Sequence, residues 1–258
     1  MGSDPSGVAP SLIHGGPVLM SYTLTLQIPA WAASPTSAAY GEMYAALQSQ
    51  LELAHLETPG TPPSCVMARG NGLVIRVLVD QGQFQCERNL ETVDGAQRIV
   101  AFDEITREFL AALHAARRYL RPVLFVSPIV QLRAKWSVNG DSADLLHACT
   151  GGRPQVRDDW LMGFHFLRAN PAQPSNPNEV SMADVRVEPF VRDRRFVWIE
   201  ATVQEPLVAL PGLGVFFRGP EGEVRHDGDS DVSGIVACAR KAHDLLDSIP
   251  AFLGLEGA

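Results

Sequence analysis

The run His226-Asp227-Gly228-Asp229-Ser230-Asp231 is the stretch whose residue types best suit a cation, because carboxylates at alternate loop positions can wrap around a hard divalent ion. The spacing does not complete a calcium loop. Counted from Asp227, the sixth position is Val232 where the turn needs glycine, and the twelfth is Cys238 where a bidentate glutamate belongs. The same residue types also suit a turn and a helix N-cap. Asp227, Asp229 and Asp231 therefore stand as candidate metal ligands against a capping reading, with His226 beside them if the chemistry were metal-dependent hydrolysis.

Other groupings offer less. Cys238 with His243, or His147 with Cys149, could supply zinc ligands, but separations of five and two residues on a helix turn the pairs to different faces. His114, His165 and His243 fall inside expected helices or strands with no nucleophile paired to them. Gly212-Leu213-Gly214 followed by Gly219 is neither a dinucleotide fingerprint nor a phosphate loop. The nucleophile elbow G-x-S-x-G and the H-E-x-x-H helix are both missing from the chain. No catalytic residue is assigned and no cofactor is expected. The remaining chemistry is arginine: Arg186, Arg192, Arg194 and Arg195 surround one expected hairpin, and Arg133 and Lys135 lie on an expected neighbouring strand. Planar guanidinium groups can hold phosphate or acidic side chains, or simply line a solvated sheet face.

Composition bounds these readings. The chain has 258 residues, 46% of them hydrophobic and 19% charged, which is ordinary for a globular protein. Its net charge of −8 opposes phosphate polymers unless a local basic stripe outweighs it. Only Lys135 and Lys241 are lysines, so the basic residues are almost all arginine, a compositional bias that weakens any arginine cluster as a signal. Cys65, Cys86, Cys149 and Cys238 are too dispersed for a disulfide framework and are expected to be reduced. The first lysine or arginine is Arg69, and no apolar stretch approaches bilayer length, so the expectation is a cytoplasmic protein without a membrane partner.

Residues 1–17 read as a flexible Gly/Ser/Pro arm. An alternating strand is expected from Val18 to Ile28. An amphipathic helix follows, capped at Ser34 with Pro35 at its first position, and carries Tyr40, Met43, Tyr44, Leu47, Leu51 and Ala54 toward the core. Gly72 to Val79 and Gln83 to Arg88 form a hairpin across Asp80-Gln81-Gly82, with Phe84 and Cys86 on its apolar face. Asp103 caps a helix striped by Ile105, Phe109, Leu113, Ala116 and Leu120. Val123 to Val126 and Ile129 to Trp136 read as a strand broken at Pro128. A short helix is expected from Asp141 to Cys149, and a strand from Trp160 to Arg168. Val185 to Val191 and Arg195 to Val203 make a second hairpin, and another strand is expected at Gly214 to Phe217. A last helix begins near Asp231 and stops at Pro250.

Strands that follow one another without intervening helices favour antiparallel pairing, so the fold class is α+β: largely antiparallel sheet with helices on one face. Two similar lobes at 18–136 and 159–250, or one continuous domain, fit this order.

The segments Gly72-Leu-Val-Ile-Arg-Val-Leu-Val, Gln83-Phe-Gln-Cys-Glu-Arg88, Phe102-Asp-Glu-Ile-Thr-Arg-Glu-Phe-Leu110 and Ala242-His243-Asp-Leu-Leu-Asp-Ser-Ile249 resemble a sporadically distributed, uncharacterised bacterial family defined by its sequence profile. The chain departs from that pattern after Arg88, where Arg98-Ile-Val-Ala replaces a tyrosine-proline pair. The resemblance implies no activity, cofactor or catalytic residue, and it suggests mobile-element or defence neighbourhoods. The leading expectation is a non-enzymatic binding or assembly subunit with another protein as partner. The alternatives are an RNA- or single-strand-binding protein with tandem ferredoxin-like lobes, which the net charge disfavours, and the metal-dependent hydrolase.

Overall fold

Alternation in the sequence decides the sheet: strands that place an apolar side chain at every second position bury one face and leave the other polar. The computed structural model describes residues 13–28, 34–58, 64–70, 72–91, 100–120, 128–150, 161–169, 182–204, 208–210, 214–218, 224–225 and 230–253. In chain order the elements are β1 (Ile13–Gln27), α1 (Ser37–Leu51), β2 (His55–Glu57), β3 (Cys65–Arg69), β4 (Leu73–Leu78), β5 (Gln83–Asn89) and α2 (Phe102–Leu120). These are followed by β6 (Pro128–Val138), α3 (Ser142–Cys149), β7 (Phe164–Ala169), β8 (Met182–Pro189), β9 (Phe196–Gln204), β10 (Val208–Leu210), β11 (Gly214–Arg218), β12 (Val224–Arg225) and α4 (Ser230–Phe252).

Nine strands form one sheet in the order β2-β3-β4-β5-β1-β6-β9-β8-β7, with every neighbouring pair antiparallel, and β10-β11-β12 form a small second sheet. The fold is therefore α+β with a largely antiparallel sheet. The large sheet follows one path twice. From the central strand β1, the chain passes through α1, returns through β3, β4 and β5, and continues into α2; from the central strand β6 it passes through α3, returns through β7, β8 and β9, and ends in α4. The two halves meet where β1 and β6 pair antiparallel, as in Thr23 opposite Gln131.

One apolar layer lies between this sheet and the helices. Tyr22, Leu24 and Leu26 of β1, Val130, Leu132 and Trp136 of β6, and Val197, Ile199 and Val203 of β9 are buried on the same side as Tyr40, Met43 and Leu47 of α1, Phe109 and Leu113 of α2, and Leu246 of α4. Each such side chain contributes roughly 1.5–3 kcal/mol by leaving water. Tyr22 stacks edge-on against Phe109 at 5.2 Å between ring centroids, tying the sheet centre to α2.

Several boundaries differ from expectation. β1 begins at Ile13, inside the expected arm, because its backbone pairs with Val138 and Ser137; the Gly15-Gly16-Pro17 stretch that hid the alternation sits in a register shift between His14 and Val18. Thr36, not Ser34, caps α1 by accepting from the Ala39 amide at 3.3 Å, so Pro35 precedes the helix. That helix stops at Glu52, whose φ of 53° is left-handed, and Ala54 lies beyond it on the way into β2. Neither β2 nor β3 is visible in the sequence reading. Gly82, with φ of 59°, turns β4 into β5 and presents its carbonyl to the Ile28 amide; a Cβ there would lie 2.6 Å from the Ile28 oxygen. Pro250 does not end α4, which continues to Phe252: Ile249 and Pro250 are both buried, and this packing offsets the one backbone bond that proline forfeits. Residues 123–126 and Trp160 lie outside the described residues.

Candidate functional site

The described helices pack into one core on one side of the sheet, so the opposite side, free of helices among the described residues, is built from the alternate residues of the same strands. Across its middle run Thr23 of β1, Gln131 and Arg133 of β6, Thr202 and Glu200 of β9, Asp184 and Arg186 of β8, and His165 of β7, aligned by strand register. Arg133 Nε donates to Glu200 Oε2 at 2.7 Å. Arg186, opposite Glu200, stands 3.9 Å from Asp184 Oδ1, and His165 Nε2 contacts the same oxygen at 2.9 Å. One row on, Trp198 lies between Lys135 and Glu188, and the Lys135 ammonium sits 5.2 Å from the centre of the Phe196 ring and 5.9 Å from that of Phe190. A further ion pair, Arg76 with Glu87 at 2.6 Å, lies on the same face at β4 and β5.

The structure thus brings Arg133, Lys135 and Arg186 to one face and leaves Arg192, Arg194 and Arg195 on the adjacent β8–β9 turn. The turn is internally bonded: the Phe190 amide donates to Phe196 O, the Asp193 amide to Phe190 O and the Phe196 amide to Asp193 O, each at 3.0 Å. Arg195 grips Asp193 with two donors, at 3.0 and 2.6 Å. These bonds hold the Asp193 carboxyl down at about 2, below the ordinary carboxylate range, while the same contact raises the Arg195 guanidinium. Arg194 stands 3.5 Å from Asp141, the residue that caps α3, and Arg192 is exposed. Among the described residues each of the arginines except Arg192 has a carboxylate in reach, so the expected basic cluster is a mosaic of both signs and not a positive stripe.

The candidate metal residues Asp227 and Asp229, with His226, lie outside the described residues, and Asp231 falls in the first turn of α4 with its side chain outside them. Among the described residues no three of the metal-binding types gather at one point. Cys238 faces inward, with Sγ 3.6 Å from Val203 O, and Cys65 and Cys86 are fully buried. Burial pushes the Cys65 thiol up to about 12, and burial together with the Glu108 carboxylate raises Cys86. A cleft between α2 and α4, lined by Tyr22, Thr106, Phe109, Val130 and Ala239, has a volume of about 10 Å³. Ordinary ligand pockets are at least roughly 300 Å³.

The most strongly built polar group is one that sequence reasoning missed. Glu108 of α2 is buried, with Oε1 2.5 Å from Arg69 Nη2 and Oε2 3.4 Å from Arg88 Nε; Arg69 also donates to Leu51 O at the end of α1, at 3.3 Å. The signal was present: Arg88 continues the apolar face of Phe84 and Cys86, and Glu108 falls in the stripe of Ile105 and Phe109. Held between two guanidinium groups, this buried carboxylate fastens α1, β3, β5 and α2 together. No family model matches the chain and no curated protein matches it.

Proposed function

We propose that the chain is a non-enzymatic binding or assembly subunit that holds a protein partner against the helix-free face of its sheet. The observation that carries this reading is the pairing of Arg133 with Glu200, beside Asp184, Arg186, Lys135 and half-buried Trp198, on a face that no described helix covers. Arginine and aromatic side chains are enriched in protein interfaces, and alternating charge fixes the register of a polypeptide that carries both signs. A nucleic-acid backbone needs uncompensated cations, which the neighbouring carboxylates deny it. The bacterial defence or mobile-element setting suggested by the family resemblance belongs to the same proposal, and the identity of the partner tests it.

The experiment is purification of the tagged full chain from its native host at low and moderate salt, scoring protein and nucleic acid. A stoichiometric protein partner that survives moderate salt and is lost from a folded Trp198→Ala/Arg133→Glu variant is expected. Recovered RNA, released by salt and weakened by Arg192→Ala/Arg194→Ala/Arg195→Ala, would replace this reading with the single-strand-binding one. Free chain alone would remove the subunit reading.

A further inference from the structure

The two ends of the large sheet are built differently. In the first half β3 is covered by β2, a strand of three residues whose pattern is exposed, half-buried, exposed, with His55 and Glu57 pointing to water. Short, polar strands of this kind terminate a sheet safely. In the second half β7 occupies the place of β3, and among the described residues it pairs with β8 alone. It has six residues and no carboxylate, and its apolar side chains stand in water: Phe166 is 40% and Leu167 61% exposed, and Leu161 just before it is 43% exposed. Register with Val187 and Val185 puts Phe164 and Phe166 on the helix-bearing side, where their rings stack at 6.0 Å.

We infer that β7 is a homodimerisation edge, on which β7 of a second copy pairs antiparallel about a two-fold axis passing midway between the two copies of Phe166 and joins two sheets into one. Three features select a second copy over another partner. The chain already joins its own two halves this way, by antiparallel pairing of the equivalent strands β1 and β6. A two-fold axis perpendicular to the sheet keeps each face on its own side, so the partner must match alternate residues with alternate residues. With the axis there, Phe166 meets its own copy and His165 meets Leu167, while position 168, the strand's arginine, meets Phe164. No like charges face each other, and the exposed aromatic pair gains an apolar cover. The edge adjoins the helix-free face at His165 and Leu167, but it pairs by backbone, whereas the proposed partner site is centred on Arg133, Trp198 and Glu200 of β6 and β9; a dimer without a protein partner, or the reverse, separates the two.

Sedimentation equilibrium of the purified full chain tests it, across about 1 to 100 µM. The expected mass is twice the 28.0 kDa of the chain at the upper end. Leu167→Lys, at a position already mostly in water, is expected to return the mass to that of one chain with an unchanged circular dichroism spectrum. Val191→Lys, at the 76% exposed turn position away from the edge, leaves the dimer intact. A wild-type chain that stays monomeric throughout, or a dimer that persists in folded Leu167→Lys, overturns the inference. Should Leu167→Lys fail to fold, hydrogen exchange of the wild-type chain decides the matter. Amides of residues 164–169 gain protection as concentration rises if the edge pairs, and concentration-independent exchange overturns it.

Discussion

The first half of the molecule ties a helix to its sheet with a buried carboxylate between two arginines, and the second half places its arginine pairs on the helix-free face or in a turn. In the first, Glu108 of α2 and Arg88 are buried, with Arg69 half-buried beside them, and the sheet ends in a short polar strand. In the second, the described buried layer of β8 and β9 facing the helices is apolar, the ion pairs of Arg133, Arg186 and Arg195 lie on the open face or in the turn, and the sheet ends in a strand with exposed Phe166 and Leu167. One path of strands and helices therefore serves two purposes. A buried pair that cannot be broken cheaply fixes how elements dock, whereas exposed charge and apolar edges add little to folding and are available for association.

The largest difference should appear on removing the carboxylates. Glu108→Ala leaves Arg69 and Arg88 facing each other across a buried site, and a loss of about 3–5 kcal/mol is expected in urea unfolding. Glu200→Gln should cost less, about 1 kcal/mol, because the amide oxygen can still accept from Arg133, whose side chain is 46% exposed although Glu200 is buried. Equal losses would erase the contrast. The edges should differ next: Leu56→Lys on β2 is expected to leave the mass of the assembly unchanged, in contrast to Leu167→Lys on β7.

Thiol chemistry gives a smaller effect. Cys65 and Cys86 should resist alkylation of the native protein at neutral pH, while half-buried Cys149 reacts first, as read by mass spectrometry of the labelled sites. Because burial raises the folded-state value of Cys65 to about 12 from an ordinary 9.0, its contribution to stability is complete below pH 9 and is lost as pH rises toward 12. The smallest effect is at the β8–β9 turn. The Asp193 carboxyl, lowered from 3.8 to about 2 by Arg195, stabilises the turn above pH 3.8 and ceases to do so as pH falls through about 2. A carboxyl-carbon NMR titration should show that midpoint, and Arg195→Ala should raise it part of the way, since the backbone amide of position 195 still donates to Asp193.

Elements with strong periodicity were legible in the sequence. The stripe of α2 from Ile105 to Leu120, the alternation of β9 from Val197 to Val203, and the short helix α3, expected from Asp141 and beginning at Ser142, each follow from local rules. What was hidden depended on distant partners. β2 and β3 are too short to announce a period, β1 gains its first residues by pairing with β6 more than 100 positions away, and Pro250 is held in α4 by packing. At the open face, sequence spacing found the arginines but not the carboxylates that answer them, since Glu200 reaches Arg133 only through strand register. The buried triad was overlooked because charged residues on an apolar stripe look like exceptions until their partners arrive from other elements.

The most direct test of the helix-free face as the docking surface is site-specific photo-crosslinking in the native host, with a benzophenone side chain at position 198 and, separately, at position 114 on the exposed side of α2. A single protein partner trapped from position 198 and not from 114 is the expected result. Crosslinks from position 114 alone, or none from 198 in a folded chain, would contradict it.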